Sequence, residues 1–113
     1  MFEHVPTPDV AFAEVHRSLR VGGVHLFTIP RDPSRPTRAR AERVDGGVRH
    51  LLPPEHHRDP ISGAGALVFT DWGSDACERI ARATGAGCDV RRVQLPECGV
   101  PDEVEVFVAA RDR

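Results

Sequence analysis

Two neighbouring residues near the start of the chain, Glu3 and His4, combine a carboxylate with an imidazole. Histidine can take the proton of a hydroxyl or an amine near neutral pH, and an adjacent acid can help to orient the acceptor. We therefore predict Glu3 and His4 as catalytic residues. The pair can also be a structural element of a turn, and the sequence leaves both interpretations open.

A run of arginines follows further along the chain, and three of them, Arg35, Arg38 and Arg40, lie close together. Guanidinium groups bind phosphate or carboxylate groups through paired hydrogen bonds. We therefore predict that these three side chains bind the substrate. The alternative is a solvated run of charge, because arginine is the only permanently cationic residue type in the chain.

Histidines gather in a proline-rich stretch, where we predict His56 and His57 as further substrate-binding residues. Together with His50 and Asp59 they can also be read as a metal cluster, since imidazole and carboxylate groups are ordinary zinc or iron ligands. The spacing fits no strong metal motif. We therefore predict substrate contact here and no metal site.

Composition narrows the class of protein. A chain of 113 residues is long enough for one small domain. Its formal net charge of -2 argues against a nucleic-acid partner. The cysteines Cys77, Cys88 and Cys98 form no C-x-x-C pair, which favours a reducing, cytoplasmic location over a disulfide framework or a zinc knuckle. Without a signal peptide or a long apolar run, we expect a soluble protein that does not bind membranes.

Regular patterns at both ends of the chain predict the elements that must position these residues. Thr7 as N-cap, Pro8 and Asp9 predict a helix start, and Gly22-Gly23 predicts its end. The apolar run 24–29 then predicts a buried parallel strand. Later patterns predict a strand over 66–70, a helix over 73–84 capped by Asp71 or Ser74, and an antiparallel pair of strands over 89–95 and 104–110.

Residues 31–65 interrupt this regularity with many charged residues, prolines and glycines. We expect a long loop there, with at most one short strand over 48–52. A stretch of that length inside a domain is usually functional or disordered. We interpret it as a substrate lid inserted into a single domain that spans residues 1–113.

Three segments resemble the C-terminal half of a class I S-adenosylmethionine-dependent methyltransferase of the type 11 group. The run "EHVPTPDVAFAEVHRSLRVGGVHLFTIP" is similar to the family's passage from the end of the fourth strand, through a helix, into the fifth strand. The E-x-x-R-x-L-x-x-G-G ending of that helix is present as Glu14, Arg17, Leu19, Gly22 and Gly23. "GALVFTDWGSDACERIARATGAGCDVRRVQL" and "EVEVFVAAR" resemble the later helix and the last two strands.

The resemblance implies an α/β fold, namely half of a Rossmann-like sheet. Its local strand order would be 5-7-6, with the last strand antiparallel. It implies methyl transfer from S-adenosylmethionine to a small-molecule or glycan-related acceptor, with Glu3 and His4 on the acceptor side. Some relatives that methylate oxygen bind a divalent metal through a Glu-x-x-Glu-His set, of which only the last two residues are present here.

The family's cofactor motif, a glycine-rich loop after the first strand, has no counterpart in this chain. We therefore expect the cofactor-binding residues to lie outside it and the chain to be inactive alone. The alternative is a non-catalytic fragment, or an interaction module that pairs with itself or another chain through an exposed sheet edge.

Overall fold

The computed structural model of the chain describes residues 1–58 and 65–113. These residues contain helices α1 (Pro8–Ser18) and α2 (Ala76–Thr84). Short 3-10 turns cover Phe2–His4 and Pro96–Cys98. The strands are β1 (Val24–Phe27), β2 (Arg31–Asp32), β3 (Arg38–Ala39), β4 (Ala41–Val44), β5 (Gly47–His50), β6 (His56–His57), β7 (Ala66–Leu67), β8 (Thr70–Gly73), β9 (Cys88–Leu95) and β10 (Val100–Ala110).

Helix α1 confirms the prediction made from its start signals. Pro8 occupies the first helical position, where its missing N–H is not needed, and Asp9 lies in the first turn beside the positive end of the helix dipole. Phe12 is buried on the inner face. Thr7 precedes the helix, but its side chain makes no capping hydrogen bond. Gly22, at a φ of +86°, then turns the chain toward β1 in a conformation that favours glycine.

The largest sheet has three strands in the order β1-β10-β9, and β10 runs antiparallel to both neighbours. Phe107 in β10 lies between Phe27 in β1 and Val90 in β9. The same side of the sheet packs against both helices, since Phe107 shares a core with Phe12 of α1 and Ile80 of α2. The predicted antiparallel pair near the end of the chain is thereby confirmed.

The predicted fold class, a partial Rossmann-like α/β fold, is wrong. Five of the six strand pairings among the described residues are antiparallel, and the parallel one joins only the two-residue strand β2 to β8. Most of the strands lie in small antiparallel sheets. Parallel sheets need helices over both faces, whereas α1 and α2 share one core on one side of the β1-β10-β9 sheet.

Strand β1 is therefore not the buried parallel strand that we expected from its apolar run. It pairs only with β10 among the described residues, so it forms an edge of the sheet. Val24 and Leu26 are 51% and 64% exposed. Phe27, which alternates with them along the strand, packs against the core.

Strand β8 organises the second part of the molecule, because β2 pairs with it in parallel and β3 pairs with it antiparallel. A side chain at Gly73 would overlap the backbone carbonyl of Arg35, so glycine is required for this close approach. Helix α2 begins at Ala76, and neither Asp71 nor Ser74 caps it. Asp75 occupies the N-cap position, and its carboxylate accepts a hydrogen bond of 2.7 Å from the backbone N–H of Thr37.

Residues 31–58 contain more regular structure than the loop that we expected. Besides β2 and β3, they hold the hairpin β4–β5, in which Arg43 lies opposite Val48. The turn of this hairpin is the pair Asp45-Gly46, a combination that favours hairpin turns, and Gly46 has a φ of +84°. No helix in the described part of the chain is both long enough and apolar enough to cross a membrane.

Candidate functional site

Glu3 is held in place by the backbone around it. Its neighbour Phe2 is buried and stacks on Phe12, with ring centroids 4.1 Å apart. The carbonyl of Glu3 accepts a hydrogen bond of 2.7 Å from the backbone N–H of Phe69. These two contacts fix the 3-10 turn against the core, and the Glu3 side chain is only 9% exposed.

His4 and His57 converge on the same carboxylate oxygen of Glu3. Oε1 of Glu3 lies 3.4 Å from Nε2 of His4 and 3.9 Å from Nδ1 of His57. The two imidazole rings are nearly perpendicular, with centroids 4.9 Å apart. The three side chains offer ligand atoms that all lie within 4.8 Å of one another. Two catalytic candidates and one substrate-binding candidate thus form a single cluster, the Glu3–His4–His57 cluster.

The short ladder between β6 and β7 brings His57 to this position. His57 pairs with Ala66, and its neighbour His56 pairs with Leu67. The carbonyl of Leu67 in turn lies 2.9 Å from Nδ1 of His4. Because a carbonyl can only accept a hydrogen bond, Nδ1 of His4 carries the proton. His56 is exposed and is not part of the cluster.

The other carboxylate oxygen of Glu3 has a cationic partner. Oε2 accepts a hydrogen bond of 2.8 Å from the N-terminal amine of Met1. Burial alone would raise the pKa of Glu3, but this hydrogen bond, a backbone hydrogen bond and the neighbouring positive charges together lower the pKa below its ordinary value. Glu3 is therefore ionised at neutral pH.

A cavity of about 190 Å³ adjoins the cluster. Glu3 and His57 form part of its wall, and the rest of the wall comes from the chain around β2 and β8. This wall includes residues that we had not singled out for binding, namely Arg31, Asp32, Thr70 and Trp72. The cavity is small for a whole cofactor and suits a small polar group.

The three arginines predicted to bind substrate differ in their contacts. Arg38 and Arg40 reach one oxygen of Asp71, with nitrogen–oxygen distances of 3.0 and 2.8 Å. Arg35 lines the cavity and lies 3.5 Å from Asp32 and 3.8 Å from Asp71. These distances exceed those of strong charge-assisted hydrogen bonds, which are about 2.7–2.9 Å. Arg35 is thus the member of the three with donors available to a ligand in the cavity.

Arg38 and Arg40 instead stabilise the carboxylate that forms the cavity wall. Burial would raise the pKa of Asp71, but the hydrogen bonds and charges of these two guanidinium groups lower the pKa below its ordinary value. Arg40 also donates to the carbonyl of Pro53, at 2.7 Å. The ion pairs with Asp71 explain why Arg38 and Arg40 lie here, and no substrate is needed to explain their position.

Two residues of the cavity wall stand out in the sequence, but the sequence did not indicate that they line a cavity. Arg31 directly follows Pro30 at the end of the first apolar run, and it forms a two-point contact with Glu105 at 2.8 and 2.6 Å. Trp72 is the single tryptophan of the chain, and we expected it to pack in the core. It is buried as expected, yet it lines the cavity, and its indole N–H has no hydrogen-bond partner among the described residues.

The remaining histidine-loop candidates fall outside the cluster. His50 is exposed on β5. Asp59 lies outside the described residues.

Searches against family models, curated proteins and solved structures find no significant match to this chain.

Proposed function

We propose that this chain supplies the acceptor site of a methyl-transfer reaction, in which the Glu3–His4–His57 cluster binds and deprotonates a hydroxyl group of a small-molecule or glycan-related acceptor. The observation that carries the proposal is the convergence of His4 and His57 on Oε1 of Glu3 at the wall of a small polar cavity. The resemblance to methyltransferases supplies the reaction class, and the cluster supplies the acceptor side.

The geometry of His4 offers a position that can accept a proton. When Nδ1 donates its proton to the carbonyl of Leu67, a neutral ring presents the lone pair of Nε2 to the carboxylate of Glu3, 3.4 Å away. Two lone pairs repel each other at that distance. A proton or a metal ion between them removes the repulsion, and a proton taken from the acceptor hydroxyl serves this purpose.

The cluster also fits a divalent cation, a site that we did not predict from the sequence. Two nitrogen or oxygen ligands, each about 2.1 Å from tetrahedral zinc, lie about 3.4 Å apart. The Glu3–His4 distance of 3.4 Å matches this value, and Nδ1 of His57, 3.9 Å from the same oxygen, would have to move about 0.5 Å closer to it. The hydrogen bond from His4 to Leu67 is the kind of outer contact that fixes the ring of a metal-binding histidine.

Glu3, His4 and His57 would hold such an ion, and three protein ligands leave a coordination position for an acceptor oxygen. A divalent cation held there would lower the pKa of a bound hydroxyl. Arg35, which lines the same cavity, would bind an anionic group of the acceptor.

S-adenosylmethionine does not fit the described residues. The turn between β8 and α2 lies between a strand and a helix, as a cofactor loop does. However, the carbonyl of Arg35 occupies the space beside its glycine, Gly73, so a cofactor cannot approach the backbone there. Gly22-Gly23 and Gly85-Ala86-Gly87 each follow a helix and precede a strand. We therefore propose that the methyl donor is bound by residues outside this chain. A cytoplasmic location, where that donor is made and used, is part of the same proposal.

Metal binding and acceptor turnover test the proposal in two steps. Isothermal calorimetry with Zn²⁺ and Mn²⁺ is expected to give one site in the wild type. Replacing Glu3→Gln or His57→Asn should weaken this site by roughly tenfold or more, because even the loss of an outer-shell partner of a ligand typically costs about 10–100-fold in affinity. His56→Asn is the matched control, since His56 is the exposed neighbour on the same strand. Equal affinities in His56→Asn and His57→Asn would rule out the cluster as the site.

The chain should then be mixed with labelled S-adenosylmethionine and hydroxyl acceptors, both alone and with a candidate cofactor-binding chain. Label transfer that requires both chains and fails in His57→Asn is the expected result. Label transfer by this chain alone would overturn the placement of the donor site. Metal binding without any transfer would support the cluster while leaving methyl transfer without support.

A second candidate is an interaction module that pairs with another copy of the chain through the edge of β1. The observation that favours it is the exposure of Val24 and Leu26 on an edge strand. Light scattering after size-exclusion chromatography distinguishes the two functions. A dimer that becomes a monomer in Leu26→Arg would support the module, and a monomeric wild type would argue against it.

A further inference from the structure

Two cysteines from different elements lie in contact at the edge of the hydrophobic core. Cys77 is in the first turn of α2, and Cys88 is the first residue of β9, eleven positions later. Their sulfur atoms are 3.4 Å apart. Both side chains pack against the hydrophobic core, and both residues are partly exposed. They are free thiols in this structure.

The backbone on each side holds this arrangement. Cys88 is paired with Ala109 in the β9–β10 ladder. Cys77 is fixed by α2, which ends in a left-handed turn at Gly85 before the chain enters β9. Since a disulfide bond is about 2.05 Å long, the sulfur atoms, 3.4 Å apart, need to approach by only about 1.4 Å to form one.

We propose that Cys77 and Cys88 form a reversible intramolecular disulfide by exchange with small thiol-disulfide compounds. This oxidation site is independent of the Glu3–His4–His57 cluster. In a reducing compartment the pair stays as two thiols, and a rise in the ratio of oxidised to reduced small thiols closes the bond. The disulfide would link α2 covalently to β9 and so restrict the movement of these two elements relative to each other.

The exchange proceeds in two balanced steps. The Cys77 thiolate attacks one sulfur of a small disulfide, forms a mixed disulfide and releases one small thiolate. Cys88 then loses its proton to solvent and attacks the sulfur of Cys77, which releases the second small thiolate. Overall, two protein thiols are oxidised to one disulfide, and one small disulfide is reduced to two thiols.

The surroundings favour Cys77 as the attacking residue. Burial raises the pKa of Cys77, but the hydrogen bond to Cys88 and the positive charge of Arg31 oppose this rise. Burial, helped by the contact with Cys77, raises the pKa of Cys88 to about 12. Cys77 therefore forms the thiolate more readily, and Cys88 acts in the second step.

The third cysteine makes the test simple. Cys98 is exposed on the turn Pro96–Cys98 and stays outside the pair. The intact protein is equilibrated in glutathione buffers of increasing oxidation, alkylated, and weighed by mass spectrometry. Under reducing conditions we expect three alkyl groups on each protein molecule. Under oxidising conditions we expect an internal disulfide with no glutathione attached to Cys77 or Cys88, so that only Cys98 reacts with the alkylating reagent. Cys98→Ser should form the same internal bond.

Single substitutions separate the two steps. Cys88→Ser should trap one glutathione on Cys77, and Cys77→Ser should trap far less on Cys88, with circular dichroism checking that both variants fold. Oxidised wild type should melt at least about 5 °C above the reduced form, because the bond constrains the unfolded chain. Three reactive cysteines at every glutathione ratio, or a disulfide that includes Cys98, would overturn the proposal.

Discussion

Two regions of this molecule differ in how much charge pairing adds to their apolar packing. The region formed by α1, α2 and the β1-β10-β9 sheet is held by apolar side chains, such as Phe12, Ile80 and Phe107. The region around β8 shares that core through Trp72, but it adds ion pairs to the apolar packing. The contacts of Arg38 and Arg40 with Asp71 are the clearest of these pairs. The candidate site lies where these regions meet. The apolar region thus supplies most of the buried core, whereas the charged region supplies the polar wall of the cavity.

The largest effect on stability is expected in the apolar region. Phe107 is fully buried, so Phe107→Ala should lower the free energy of unfolding by about 3–5 kcal/mol, through lost burial and the cavity left behind. Urea unfolding followed by circular dichroism measures this change. Val104→Ala, at a 37% exposed position on the same strand, is the control and should change the free energy by less than about 0.5 kcal/mol. Similar losses in both variants would contradict the packing described for β10.

A smaller loss is expected in the charged region. Asp71→Asn removes the carboxylate shared by Arg38 and Arg40, and it should lower the free energy of unfolding by about 1–3 kcal/mol. The matched control is Asp32→Asn, because Asp32 is 46% exposed, its arginine partner is distant, and its carboxylate accepts hydrogen bonds only locally, from Ser34 two residues away. If Asp32→Asn proved as costly as Asp71→Asn in the same urea experiment, the special role of the Asp71 pairing would be lost.

Acid should remove the stability that the ionised carboxylate of Asp71 contributes. The pKa of Asp71 is lowered from its ordinary value of 3.8, so the folded state binds its proton less readily than the unfolded chain. The resulting stability is fully present above pH 3.8 and is lost as the pH falls through the lower pKa of the folded state. Urea unfolding between pH 2 and pH 6 should therefore show a shallower decline below pH 4 in Asp71→Asn than in the wild type. Parallel curves for the two proteins would refute this assignment.

The smallest effect on stability is expected at the candidate site. The His57 side chain is 42% exposed, so without metal His57→Asn should change the free energy of unfolding by less than about 0.5 kcal/mol. With saturating Zn²⁺, the wild type should gain stability, and His57→Asn should gain much less. Thermal melts with and without metal measure both changes. A large loss without metal would assign His57 to folding instead.

The contrast between the regions also explains what the sequence could predict. Helix α1 and the β9–β10 pair follow from local signals, such as Pro8 at the helix start and the alternation around Val90. The number of faces that a strand buries depends on what packs against it, so the apolar run of β1 suggested a buried parallel strand that the fold does not contain.

The site shows the same limit. Glu3, His4 and His57 were each proposed from residue type, but their convergence depends on the β6–β7 ladder, which pairs His57 with Ala66. The contact of Arg38 and Arg40 with Asp71 likewise joins residues more than thirty positions apart. Local periodicity carries no information on such pairings. The sequence therefore could not predict that Arg38 and Arg40 bind Asp71 while Arg35 keeps donors available in the cavity.

The most direct test of the account is a nitrogen-15 NMR titration of the histidine side chains with Zn²⁺. The account predicts that Nε2 of His4 and Nδ1 of His57 change shift together and saturate at one equivalent, while Nδ1 of His4 keeps its proton on the carbonyl of Leu67. The signals of His56 and His50 should stay unchanged. Shifts of His56 or His50, with His4 unaffected, would contradict the central claim that Glu3, His4 and His57 form one site.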